Sequence, residues 1–96
     1  MVEKEKIIEA LKNCIDPEIR LDIYTLGLIY DIKIKNDKVL IIMTLTSPMC
    51  PYGPMLIDDV KLRTGAVEGV KEVNVDLTFE PVWQPSEEVK LMLGVG

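Results

Sequence analysis

Residues 39–45 constrain this chain more than any other stretch, because they run almost wholly apolar and have no face to offer water. The uninterrupted part, residues 39–43, is far too short to cross a bilayer and suits a strand covered on both faces. Just upstream, Tyr30, Ile32 and Ile34 alternate with Asp31, Lys33 and Lys35, which is the period of a half-buried strand with one wet face. Asn36 and Asp37, both tolerant of left-handed backbone angles, predict a tight turn between the two runs.

The remaining segments arrange themselves around that hairpin. Residues 3–13 read as a helix: Ile7, Ala10, Leu11 and Cys14 share one face, with Ile8 and Ile15 beside them. Asp16-Pro17 ends it, since proline holds the preceding residue away from helical angles. Residues 18–28 have no clean period and are interrupted by Gly27, so they read as an ordered loop with at most one short turn. Pro48 and Pro51 bracket a break, and residues 53–64 form a second helix with Leu56, Ile57 and Val60 facing inward. A third strand follows, where Val73, Val75, Leu77 and Phe79 alternate with Glu72, Asn74, Asp76 and Thr78. Ser86 caps a short last helix whose first turn carries Glu87 and Glu88, facing the positive end of its dipole.

The expected fold is therefore α/β (α+β), in the order α-β-β-α-β-α. One three-stranded sheet has its helices mainly on one face. The crossover helix makes the second and third strands parallel in direction. Length bounds the rest: 96 residues make one domain, 1–96, able to fold without disulfides or a structural metal.

Charge and residue usage exclude several classes. Acidic residues outnumber basic ones 16 to 11, for a net charge of -5, and no Lys/Arg stripe offsets this, so nucleic acid is not an expected partner; with the longest apolar run too short to cross a bilayer, neither is a membrane. The charged N-terminus lacks a secretory apolar stretch, and two cysteines do not make a disulfide framework; a cytoplasmic location is expected. The absence of histidine removes Cys-His and Ser-His-Asp catalysis together with imidazole metal sites. No phosphate loop and no Gly-x-Gly-x-x-Gly occurs.

Cys50 is the leading candidate for chemistry. It sits between the apolar strand and the second helix, at the carboxyl end of a strand, where α/β folds place function. A helix start favours the thiolate, and Thr46 and Ser47 are placed to donate hydrogen bonds to it. The plain alternative is a small buried hydrophobe filling a turn. Thiolate ligation of a metal or cluster needs no base after deprotonation, whereas protease-type catalysis does. Cys14, on an apolar helix face, reads as core filler. Asp16 and Glu18 flank Pro17 and offer two carboxylates on a rigid turn; the plain alternative is helix punctuation with solvated acids. Trp83, in a loop pinned by Pro81 and Pro85, either plugs the core edge or anchors a partner, and the plug is the reading favoured.

Four blocks then line up in register. Asp16-Pro17-Glu18, residues 22–30 with Leu26-Gly27-Leu28, residues 46–51 around Cys50, and residues 77–83 ending in Trp83 together resemble the SufT/PaaD-like family of small iron–sulfur assembly proteins. The resemblance implies a fold like other iron–sulfur assembly domains and a non-enzymatic role in maturing clusters or delivering them to client apo-proteins. It marks Cys50 as the signature residue, as transient ligand or reactive thiolate, and places Asp16 and Glu18 at the same site. Relatives fused to Mrp-type ATPases carry a phosphate loop, and PaaD-type relatives carry extra cysteines toward the C-terminus; this chain has neither, which favours the assembly-factor branch.

A four-thiolate cluster cannot be completed by one copy with two cysteines. Any iron–sulfur cluster held through Cys50 is thus expected to be transient and shared with a second subunit, a partner or small thiols, with none tightly bound. The competing expectations are a non-catalytic interaction adaptor, in which Cys50 is structural, and a thiol or carboxylate enzyme using Cys50 with Asp16 or Glu18.

Overall fold

The computed structural model describes residues 2–17, 19–46, 52–84 and 86–92. Its elements run α1 (Lys4–Leu11), β1 (Ile29–Lys35), β2 (Lys38–Met43), α2 (Gly53–Gly65), β3 (Glu72–Leu77) and α3 (Glu87–Met92). This is the expected order and the expected α+β class. Among the described residues no helix is long and apolar enough to cross a membrane.

The hairpin forms where the alternation placed it. β1 pairs antiparallel with β2 from Ile29 opposite Met43 to Lys35 opposite Lys38, and Asn36 takes the left-handed turn conformation with φ 58°. Its short polar side chain tolerates that angle, as the sequence suggested. A register shift between Ile29 and Asp31 gives β1 a bulge at Tyr30. β2 then pairs parallel with β3, Lys38 opposite Glu72 through Met43 opposite Leu77, so the sheet order is β1-β2-β3. Thirteen residues of α2 make the crossover between the two parallel strands.

One face of the sheet carries the core. Ile32, Val39, Ile41 and Met43 are buried there with Ile7 and Leu11 of α1, Leu56 and Val60 of α2, and Val89 of α3. The other face differs from the expectation of a strand covered on both sides. Leu40 and Ile42, on the face opposite the core, are only half-buried. Their neighbours across the ladders are Lys33 and Asn74, and Asp31 and Asp76, so partial shielding comes from side chains lying beside them in the sheet. A run of apolar residues in a central strand thus reports two flanking strands as well as two covering layers.

Ends of elements move for local reasons. α1 stops at Leu11, two residues before the expected end. Asn13 and Cys14 instead donate to the carbonyls of Ala10 and Leu11, three residues back, tightening the last turn. Cys14 stays buried on that turn, but Ile15 swings outward to 48% exposure as it bridges to Asp22. β3 ends at Leu77 rather than Phe79. Thr78 still donates to the Met43 carbonyl, and its hydroxyl accepts the Glu80 N–H in a turn away from the sheet. Ser86 caps α3 as expected, its hydroxyl accepting the Val89 N–H at 3.2 Å.

The loop after α1 is held as firmly as an element. Asp16 donates its N–H to the Leu21 carbonyl, Arg20 donates to Asp16, and Ile23 donates to Cys14. Arg20 sits at φ 65° to close that turn. Ile23, Leu26 and Leu28 are all 0–1% exposed, so the loop is nailed to the core by three aliphatic side chains.

Truncation should discriminate the two faces of β2. Ile41→Ala is expected to cost about 2–5 kcal/mol, the range for deleting a fully buried aliphatic side chain. Leu40→Ala, on the open face, should cost less than half as much; urea denaturation midpoints of the two variants check this.

Candidate functional site

The carboxyl end of β2 leads directly toward the candidate site. Thr44 and Leu45 are buried, Thr44 donates its N–H to the Leu28 carbonyl at 2.9 Å, and Thr46 is half-buried. The described chain resumes at Tyr52, whose carbonyl accepts the Leu56 N–H as α2 begins, with proline in its first turn. Cys50 and Ser47 fall between these two points and Glu18 falls beside Pro17; all three lie outside the described residues. What can be placed is the frame around them: Thr46 at the strand end, the first turn of α2, and Asp16.

Asp16 is not a solvated acid. Its side chain is 1% exposed, and one carboxylate oxygen accepts the Ile19 N–H at 3.0 Å, closing the turn over Pro17. A buried carboxylate is costly unless hydrogen-bonded, so this position is specified by the fold rather than left to punctuation. Its neighbours Ile15 and Pro17 line a groove of about 380 Å³ with Met55, Leu56, Asp58, Asp59 and Leu62. The turn bearing Asp16 therefore lies against the N-terminal half of α2, the helix entered from residues 46–52.

Cys14 is excluded from reactive chemistry by its surroundings. It is fully buried and its Sγ donates to the Ala10 carbonyl at 3.7 Å. Burial pushes its thiol up to about 12, helped by the charge of Asp59 and a hydrogen bond to that carboxylate, with Arg63 opposing. Arg63 itself pairs with Asp59 at 3.0 Å. A thiol in this state is protonated at neutral pH and packs as a core group. Among the described residues, no three of histidine, cysteine, aspartate and glutamate come together to hold a metal ion.

Trp83 ties its loop to the segment before β1. Its indole Nε1–H donates to the Leu26 carbonyl at 2.7 Å and it packs, half-buried, against the core. Gly27, at φ 80°, lies beneath it: a Cβ there would stand 3.8 Å from Nε1 on a backbone angle that side chains avoid. The structure thus joins two of the sequence blocks, Leu26-Gly27-Leu28 and Trp83, by one hydrogen bond. Tyr30 adds a second tie, its hydroxyl donating to the Pro81 carbonyl at 2.7 Å.

The residues missed by sequence reasoning are Ile15, Met55 and Leu62. Met55 and Leu62 fall outside the inner stripe of Leu56, Val60 and Thr64, and their separation of seven positions puts them on one face of α2. That second apolar line was the available signal.

Two outcomes test the description of the thiols and the tryptophan. The folded-state thiol of Cys14 lies above its unfolded value of 9.0, so the stability it lends is full below pH 9 and is lost as pH rises toward about 12. Urea midpoints across that range should fall more steeply for wild type than for Cys14→Ala. Trp83→Phe keeps the ring but strands the Leu26 carbonyl, and should cost about 1–2 kcal/mol by the same measurement.

Comparison with known proteins agrees with this frame. The family described as iron-sulfur cluster assembly protein matches residues 4–77. An Fe-S protein maturation auxiliary factor of Porphyromonas gingivalis is 45% identical, over 95% of this chain and 90% of its own. The Fe-S protein maturation auxiliary factor YitW of Bacillus subtilis is 38% identical, over 96% of this chain and 94% of its own. A solved structure of a conserved hypothetical protein of Thermotoga maritima superposes with a TM-score of 0.87 at 45% identity, covering 98% of this chain and 96% of that one. With a family match over residues 4–77, a matching fold and near full-length relatives, the chain belongs to the iron-sulfur cluster assembly protein family.

Proposed function

We propose that this protein is an accessory factor in iron–sulfur protein maturation that supports cluster insertion into client apo-proteins, with Cys50 as transient ligand or reactive thiolate. The observation that carries the reading is the near full-length likeness to proteins named as maturation auxiliary factors. The state of Cys14 supports the assignment to Cys50, because the chain's other thiol is buried and protonated.

In this reading the cluster is cargo. One copy offers Cys50 alone as an available soft ligand, so the remaining positions on iron are filled by a second copy, a partner or small thiols. Asp16, Glu18, Thr46 and Ser47 support the site. In this reading Thr46 and Ser47 serve as hydroxyl donors to the thiolate, and Asp16 and Glu18 serve as its carboxylate neighbours. The role is that of a cytoplasmic, non-enzymatic factor acting with the assembly machinery, and the acidic surface suits protein partners over nucleic acid.

The test is Cys50→Ala in the full chain. A thiol in a loop contributes little packing, so the variant should lose about 1 kcal/mol of stability and keep its fold. Activation of a client iron–sulfur enzyme should drop to the level seen without the protein. Anaerobic addition of iron and sulfide should give a thiolate–iron absorption band with wild type and none with Cys50→Ser. A folded variant that matures its client at the wild-type rate overturns the ligand role and leaves the adaptor reading.

A further inference from the structure

Among the described residues seven large hydrophobic side chains are exposed, and three of them, Ile15 at 48%, Met55 at 61% and Leu62 at 73%, line a single groove. Scattered exposed aliphatics need no explanation, but three around one concave surface do. Pro17 completes one wall, and Leu56, 3% exposed, forms the floor. Along α2 the outer face reads Met55, then Asp58 and Asp59, then Leu62, so two apolar ends about 10 Å apart enclose an acidic centre.

That order of charges chooses the occupant. A second copy packed about a two-fold axis through the middle of this face would set Asp58 and Asp59 against their own symmetry mates. On a chain of charge -5 four opposed carboxylates repel, and Arg63, the cation beside them that pairs with Asp59, is already engaged within its own copy. A segment with apolar side chains at both ends and a cation between them meets both requirements. We propose that the groove between residues 15–17 and the outer face of α2 docks an amphipathic helix of a partner protein, one bearing apolar side chains two helical turns apart and a Lys or Arg between them. The groove begins within the first turn of α2, the helix that follows the Cys50 motif in sequence. Docking does not depend on whether Cys50 is a ligand.

The test uses the full isotopically labelled chain and two synthetic helical peptides of about 14 residues, long enough for three turns. Both carry leucines seven positions apart; one has lysine midway and the other glutamate. Amide shifts should concentrate at Ile15 and residues 55–62, and the lysine peptide should bind roughly tenfold tighter, about 1.4 kcal/mol. Leu62→Ser and Met55→Ser, at exposed positions, should keep the urea midpoint and weaken binding severalfold, whereas Leu91→Ser, exposed on α3, should leave it unchanged. Asp58→Asn should narrow the gap between the two peptides. The proposal fails if neither peptide binds, if both bind equally, or if shifts fall outside the groove. It also fails if the free protein self-associates through these same residues, since the occupant is then a second copy. Client activation by Cys50→Ala is read separately, so each idea can fail without the other.

Discussion

β2 holds hydrogen-bonded ladders on both sides, antiparallel to β1 and parallel to β3, and every other element takes its place from that strand. Its inward side chains Val39, Ile41 and Met43 are at most 1% exposed and form the surface on which α1, α2 and α3 meet. Because the second ladder is parallel, the chain must cross over to reach β3, and α2 is the crossover. The loop at the carboxyl end of β2 is then obliged to feed the start of that helix. In sequence, the motif around Cys50 falls between that strand and that helix.

The turn after α1 supplies the other half of the frame. It buries one thiol and one carboxylate within two residues of each other and treats them differently. Cys14 is pushed toward its neutral form by burial and by the charge of Asp59. Asp16 accepts the Ile19 N–H, which gives one of its buried oxygens a hydrogen-bond partner. Cys14 thereby becomes part of the core, whereas Asp16 fixes the turn whose residues Ile15 and Pro17 line the groove with α2. The same α2 residue that disfavours ionisation of Cys14, Asp59, lines the groove between Met55 and Leu62, so part of its acidic centre is built into the packing of the two helices.

Much of the fold was legible along the chain. The alternation of residues 30–35, the turn chemistry of Asn36 and Asp37, and the Ser86 cap each rest on interactions among residues close in sequence, and each formed as read. Leu40 and Ile42 misled because apolar character in a central strand reflects shielding by neighbouring strands as well as by layers above and below. Ile15 misled because the helical period it was assigned to ends at Leu11, where three-residue hydrogen bonds replace four-residue ones.

By itself the sequence determined the element order, the parallel direction of the crossover strands, the absence of imidazole chemistry and, through four blocks in register, the family. These depend on residue type and spacing, which the chain carries whatever its conformation. Only the tertiary structure decided that Asp16 is buried, that Trp83 is bonded to the Leu26 carbonyl, that Cys14 is held protonated, and that Ile15 meets Met55 and Leu62 across a groove. Burial, a hydrogen bond across 57 positions and a shared surface are properties of pairs brought together by folding, and no single position in the chain encodes them.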